Sequence, residues 1–249
     1  MIIEKIGTRG ILFTFELIMD NFIGTVNVYL INTEHYIFIC DTFTGPNAMN
    51  QIISYIKLYF EQKPIIIFNS HSDFDHFWGN CAFKDSIIIS SNLCRKNILQ
   101  PEQIKFLKEN KNLQSGDVSI LPPNLTFRQK LLFPSEDIYF FCSPGHTKDS
   151  ASCYDKLDEV LFAGDNVEEP IPYLNYPNLE DYISSLNYYL KLSAKIIIPG
   201  HGQITNDLLI KKNLEYIYDL QSGNTRKYES GKYRFIHQQN MGKITEIKK

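Results

Sequence analysis

Residues 69–80 read NSHSDFDHFWGN, so two histidines and two aspartates, His71, Asp73, Asp75 and His76, fall within six positions directly after the apolar run PIIIF. Imidazole and carboxylate at this density serve as metal ligands or as general acids and bases. Three other stretches share the form of an apolar run followed at once by a turn carrying a histidine or an aspartate: CSPGHTKDS with His146, LFAGDN with Asp165 and IIIPGHG with His201. Four of the six histidines lie in these turns. The other two, His35 in the polar NTEHY and His237 in the basic tail, are expected on the surface. The four turns together offer four imidazoles and three carboxylates, a set rich in nitrogen and oxygen and poor in sulfur that suits zinc, iron or manganese. Seven ligands exceed what one tetrahedral ion uses, so two divalent metal ions sharing a bridging carboxylate form the economical arrangement. Gly145, Gly200 and Gly202 beside the histidines allow backbone to come close to an ion without a Cβ in the way.

These turns need a frame that brings them together. GILFTFEL, VNVYLIN and YIFICDT are short, rich in β-branched and aromatic residues and separated by turn-formers, which predicts a meander of antiparallel strands. GPNAMNQIISYIKLYFEQK places Ile52, Ile53, Ile56, Tyr59 and Phe60 on one helical stripe, with Pro46 near its start and Pro64 behind it. IIIF, SIIIS, DIYFFCS, VLFAGD and KIIIPGHG read as further strands, and NLEDYISSLNYYLKL as an amphipathic helix. That order is not a strict alternation of strand and helix. It fits an α+β layered architecture with sheet packed on sheet and helices outside, and the chemistry at strand ends. With no repeat, low-complexity tract or linker, residues 1–249 read as one domain, with a C-terminal helix and tail from residue 203.

Composition narrows the function classes. The formal charge of −3 gives no global positive field, which argues against nucleic acid and against an anionic membrane surface, and favours a small-molecule substrate. A homo-oligomer stays open. Five cysteines without a C-x-x-C spacing suit reduced thiols, each read as a small buried hydrophobe. Glu4, Lys5, Arg9 and Glu16 interrupt the apolar N-terminal stretches, so no signal-peptide core or membrane span is read there, and the cytoplasm is the expected location.

HSDFDH, then SPGHT, FAGD and IPGHG, in that order and at these intervals, resemble the metallo-β-lactamase-fold hydrolases, whose signature is H-x-H-x-D-H with a later His, Asp and His. The resemblance runs from about residue 24 to residue 202 and includes ICDTFTG, which is similar to that family's D-T-G segment. It implies a four-layer αββα sandwich with metals at one edge of the two sheets. By position, it implies that His71, Asp73 and His146 hold the first ion, that Asp75, His76 and His201 hold the second, and that Asp165 bridges them. Asp73 departs from the signature, which has a histidine there. Being shorter and anionic, it ligates only if the loop comes closer or through a water. Zinc comes first as the metal, with iron or manganese brought in by Asp73, because the flavodiiron branch carries a glutamate at that place.

An ion or ion pair lowers the pKa of bound water to about 7 and polarises the bond to be cleaved. Asp75 is then the candidate catalytic residue to orient the resulting hydroxide and take its proton, and His201 the candidate to face the substrate. Asp165 at the bridging position resembles the thioesterase, lactonase and phosphodiesterase branches, whereas the antibiotic-hydrolysing branch typically has cysteine there. The leading expectation is a hydrolase of a small ester, thioester, lactone or phosphoester. A diiron redox or oxygen-reactive protein is the second reading, and a non-catalytic binding protein with an impaired first metal site is the third. Asp41, Thr147 and Asn80 are candidates to orient ligands. Phe77 and Trp78 read as core, residues 90–123 as helix and loop over the pocket, and Arg95, Lys96 and Lys105 as a solvated face. NDLLIKKNLEYIYDLQSG reads as a helix. In the tail, Arg226, Lys227, Lys232 and Arg234 interleave with Tyr228, Tyr233 and Phe235, and an edge strand is expected there in preference to a nucleic-acid arm.

Overall fold

The computed structural model describes residues 1–19 and 22–247. β1 (Ile2–Ile6), β2 (Gly10–Met19), β3 (Phe22–Asn32) and β4 (Ile37–Cys40) form the expected antiparallel meander, with Phe13 opposite Val28 and Leu30 opposite Ile39. From β4 onward the chain adds strands in parallel, β5 (Ile65–Asn69), β6 (Ile87–Ser91) and β7 (Leu125–Phe127), to complete a seven-stranded mixed sheet in chain order. The second sheet contains β8 (Lys130–Phe133), β9 (Ile138–Cys142), β10 (Ala151–Asp155), β11 (Val160–Gly164) and β12 (Ile196–Pro199), in the order β12-β11-β10-β9-β8. Its pairs are antiparallel except that β12 joins β11 in parallel.

Parallel neighbours need a crossover, and a crossover returns the chain so that consecutive strands end on the same edge. The crossovers are α1 (Pro46–Tyr59) after β4, α2 (Phe74–Phe77) after β5, α3 (Asn92–Ile98) and α4 (Pro101–Glu109) after β6, and α5 (Leu179–Leu192) after β11. The C-terminal ends of β4, β5, β11 and β12 are therefore gathered along one rim, and the motif turns with them.

Two sheets flanked by helices make four layers. Between the sheets lie Tyr29, Phe38, Phe68, Phe140, Phe162 and Ile198. α1 covers the outer face of the first sheet with Ala48, Met49, Ile52 and Ile56. α5, α6 (Asp207–Ser222) and α7 (Arg234–Ile247) cover the second through Tyr182, Leu186, Tyr189, Ile210, Tyr216 and Ile236. Among the described residues no helix is long and apolar enough to cross a membrane.

Four expectations are corrected. The tail is not an edge strand: it folds as two short helical turns and α7. Burying Tyr228 and Ile236 against Tyr216 outweighs the strand preference of its aromatic residues. His237 is accordingly not a surface residue; it is buried, 3.1 Å from the Tyr216 hydroxyl. Tyr59 ends α1 and is exposed, while Tyr55 packs against Phe13 in its place. Cys142 is only half-buried, whereas Cys40, Cys81, Cys94 and Cys153 are buried.

Candidate metal centre

β5 ends at Asn69, and the chain turns immediately into Ser70, His71 and Asp73 before α2 begins. The turn is held by amide pairs. Asn80 and Asn69 exchange hydrogen bonds of 3.0 and 2.8 Å, Thr42 Oγ1 donates to Asn80 Oδ1 at 3.0 Å, and Asn69 Nδ2 donates to the His76 carbonyl at 3.0 Å. Phe77 and Trp78 are buried behind the turn, as expected. The structure brings all seven predicted residues, His71, Asp73, Asp75, His76, His146, Asp165 and His201, to one place, in the groups His71/Asp73/His146, Asp75/His76/His201 and His71/His76/Asp165.

Each imidazole is fixed from behind through Nδ1. His76 Nδ1–H donates to Asp41 Oδ2 at 2.7 Å, His201 to the Thr25 carbonyl at 2.8 Å and His146 to the Tyr173 carbonyl at 3.0 Å. His71 donates to Ser70 Oγ at 2.9 Å, and that hydroxyl donates onward to Asp41 at 2.7 Å. Carbonyls and carboxylates accept only, so Nδ1 keeps its proton and Nε2 is the nitrogen that gives up its own to an ion.

The Nε2 atoms converge on carboxylate oxygens. Asp73 Oδ2 lies 3.4 Å from His71 Nε2 and 3.4 Å from His146 Nε2, while Asp165 Oδ2 lies 3.6 and 3.7 Å from the same two nitrogens. On the other side, Asp75 Oδ2 lies 3.6 Å from His76 Nε2 and 3.4 Å from His201 Nε2, and the same Asp165 Oδ2 lies 3.4 and 3.1 Å from them. A tetrahedral ion with bonds of about 2.1 Å holds its ligands about 3.4 Å apart. The eight distances, 3.1 to 3.7 Å, agree with that ligand-to-ligand spacing, and the Asp165 oxygen is near both histidine pairs.

Three buried atoms in this set, His71 Nε2, His76 Nε2 and Asp165 Oδ1, have no hydrogen-bond partner. Leaving buried polar atoms unpaired is costly, and a cation satisfies them. Gly200 completes the cradle: a Cβ there would stand 2.0 Å from Asp165 Oδ1. The residues present fit the binding of divalent metal.

The charges agree with this fit. Burial opposes ionisation of Asp165, but His201, His76 and His71 outweigh it and hold the carboxyl far below the usual range. Burial likewise opposes charge on the imidazoles, yet Asp73 and Asp165 raise His146 to about 10, Asp165 and Asp75 raise His201 to about 9, and Asp165, Asp75 and Asp41 raise His76. The cluster thus carries a negative potential that a cation neutralises. Asp73 stands at the N-cap of α2, where an aspartate ordinarily accepts from the helix amides, yet it makes no cap bond and turns to His71 and His146. The short aspartate reaches the site because the loop comes close enough.

Of the proposed orienting residues, Asp41 bonds His76 directly, and Asn80 acts on the loop. Thr147 bonds Ser150 at 2.7 Å and is a turn residue. Gln103 of α4 donates to the Ser72 carbonyl at 3.1 Å, which sets residues 90–123 over the metal loop. Arg95 is tied to the Pro123 carbonyl and Lys105 pairs with Glu109 on an exposed face. Several residues had no sequence signal of their own. Asn166 accepts from His146 N at 2.8 Å and donates to the Ser143 carbonyl, and Asn175 Nδ2 lies 3.3 Å from His146 Nε2. Buried Glu168, raised to about 7 by burial, accepts from Tyr173 N at 2.8 Å. Only Asn166, beside Asp165 in AGDN, stood next to a motif residue.

Comparison with known proteins gives the same outline. The family described as "Metallo-beta-lactamase superfamily" matches residues 22–201. A curated relative, the Beta-lactamase-like protein 2 homolog of Caenorhabditis elegans, is 36% identical over 75 residues, which is 30% of this chain and 25% of that protein, so the match spans a quarter of the relative's length. Among solved structures, the metallo-beta-lactamase from Pontibacter korlensis superposes with a TM-score of 0.68 at 18% identity, covering 87% of this chain and 98% of that one. FIM-1 from Pseudomonas aeruginosa, in its mono-zinc form, gives 0.65 at 17% identity, covering 88% and 95%. At such identities these likenesses speak for the fold.

Proposed function

The chain belongs to the metallo-beta-lactamase superfamily and is a hydrolase of that fold, and on that premise we propose that it uses two divalent ions to cleave a small ester, thioester, lactone or phosphoester. His71, Asp73 and His146 would hold one ion, Asp75, His76 and His201 the other, with Asp165 Oδ2 common to both. The observation that carries this reading is that all four ligand imidazoles place Nε2 within 3.1 to 3.7 Å of that single oxygen, while Asp73 Oδ2 and Asp75 Oδ2 each lie 3.4 to 3.6 Å from one pair of them. Zinc is the first choice for a set of four imidazoles with carboxylates.

When bound, such ions act as Lewis acids on the scissile oxygen and lower the pKa of bound water to about 7. The chain's own residues do the rest. Asp75, within 3.4 Å of His201 Nε2, takes the proton of the attacking water at a carboxylate oxygen. The side chain of His201 is 27% exposed, against 5% or less for the other three ligand histidines, so it lines the mouth through which substrate enters. Asp41, Ser70 and the Thr25 and Tyr173 carbonyls keep the imidazoles in the ligating tautomer. The acidic balance supports a small-molecule partner, and five free thiols support a reducing compartment such as the cytoplasm.

Asp73 favours a second reading, a diiron protein, because a carboxylate in place of an imidazole suits a harder ion. Elemental analysis of protein grown without added metal, followed by reconstitution and a screen of the four ester classes, separates the two. Two equivalents of zinc with turnover support the hydrolase. Two equivalents of iron with visible absorption support the diiron protein, and protein fully loaded with zinc but inert on every class would sink the leading reading.

A further inference from the structure

The two helices that follow residue 201 lie outside the matched family region, yet they reach the first ligand set. The link is the irregular turn between β11 and α5. Asn240 of α7 is buried and holds both flanks of Tyr173: its Oδ1 accepts from Leu174 N at 2.9 Å and its Nδ2 donates to the Pro172 carbonyl at 2.8 Å. The remaining N–H goes to the Tyr216 hydroxyl at 2.9 Å. Asn213 of α6, also buried, grips the other end of the turn, with Nδ2 donating to the Glu168 carbonyl at 2.8 Å and Oδ1 accepting from Glu168 N at 3.0 Å. What the turn presents to the site is the acceptor of His146: the Tyr173 carbonyl takes Nδ1–H at 3.0 Å, and Asn175 N donates to the His146 carbonyl at 2.9 Å.

Ile171 and Leu174 anchor the turn in the core, but its backbone groups are only partly covered. A cleft of about 370 Å³ opens between the turn and α7, lined by Tyr173, Asn175, Gln239 and Lys243 among others. With no strand ladder through the turn, the backbone groups of Glu168, Pro172 and Leu174 are satisfied by side-chain amides. We propose that Asn240 is a positioning residue for His146, acting through the Pro172–Asn175 turn, so that the C-terminal helices are part of the machinery of the first ligand set. The inference rests on the proposed function only for its consequence in ion affinity; the placement of the ring stands apart from it.

The test uses full-length protein with 15N-labelled histidine, in metal-free form, and reads the solvent exchange of the His146 Nδ1–H. Asn240→Ala should speed that exchange at least about ten-fold and weaken binding of one of two zinc ions by about ten-fold, the lower end of what orienting partners of ligands contribute. Asn240→Asp, which replaces the donors to the Pro172 carbonyl by an oxygen, should act in the same direction and serves if the alanine variant does not fold. Tyr216→Phe removes a neighbour of Asn240 without touching the turn, and should lower Tm by a few degrees with His146 exchange unchanged. Exchange unaltered in the Asn240 variants, or accelerated equally in Tyr216→Phe, overturns the proposal. Because exchange is read without metal, a wild type that bound no zinc would count against the hydrolase reading, while the exchange result alone decides for or against Asn240.

Discussion

Asp41→Asn is the sharpest perturbation of the ligand frame. Asp41 sits at φ 62°, a backbone region that asparagine tolerates as well as aspartate, so the change acts on the side chain. Its carboxylate is buried and accepts three hydrogen bonds of 2.7 Å: Ser70 N on Oδ1, and Ser70 Oγ and His76 Nδ1 on Oδ2. An amide offers one oxygen. If that oxygen keeps Ser70 N, the NH2 faces His76, and the imidazole must move its proton to Nε2, the atom aimed at Asp75 and Asp165. If the amide flips, the NH2 meets Ser70 N–H, and two buried donors oppose each other at a cost of about 1–3 kcal/mol. Either arrangement opposes ion binding by roughly that amount, a loss of about 10–100-fold in affinity. Competition with a chromophoric chelator at fixed pH should show this loss for the ion on the His76 side, with far-UV circular dichroism unchanged. Both affinities within about two-fold of wild type would falsify the assignment of Asp41 as the anchor of the His76 tautomer.

Three other outcomes follow from separate parts of the molecule. Gly200→Ala pushes a methyl into Asp165 Oδ1, so mass spectrometry under native conditions should show loss of both ions, and retention of two would mean that the shared carboxylate has room to move. At the opposite strand ends, Arg9 donates to the fully buried Asp155 at 3.0 and 2.5 Å; Asp155→Ala leaves a mostly buried guanidinium with the Glu136 carbonyl but without its carboxylate, and should cost about 3–5 kcal/mol in urea unfolding, with metal content intact. Burial pushes the His237 imidazole below its ordinary value, with Glu229 only partly opposing, so its contribution to stability is fully present above the unfolded value of about 6.5 and is lost as pH falls from there through the lowered folded value. His237→Phe should therefore show a shallower loss of urea midpoint than wild type between about pH 7.5 and 5.5, and parallel curves would contradict the neutral buried state.

The strand-end turns were legible because their ligands come in short strings, each attached to an apolar run whose period marks it as a strand. The architecture was legible for the same reason, since a meander followed by strands separated by helices restricts the layers that can form. What escaped the sequence came from contacts between distant segments. RKYESGKYRFIH has the aromatic content of a strand, and only the bed of Tyr216, Ile217 and Ile210 makes it helical. Asn213 and Asn240 look like polar residues of a helix surface, and nothing beside them announces that their amides replace a ladder for residues 168–174. The acceptors on the imidazoles were half visible: Asp41 stood in a motif, but the Thr25 and Tyr173 carbonyls carry no side-chain signature.

Donor chemistry was settled by the covalent chain: imidazole and carboxylate but no thiolate in the motif turns, in a set order, with His71, Asp73, Asp75 and His76 close enough along the backbone to share one turn. Nothing in that order says which nitrogen faces inward, or that Asp165 offers the same oxygen to both sides. Those features depend on carbonyls, carboxylates and a missing Cβ at Gly200, supplied by segments that meet only when the strands align at one rim. Asp73 shows the division most directly, since its position at the start of α2 fits a helix cap as well as a ligand. The approach of His146, whose ring nitrogen bonds the carbonyl of Tyr173 in the turn before α5, is what puts Asp73 within 3.4 Å of a second imidazole.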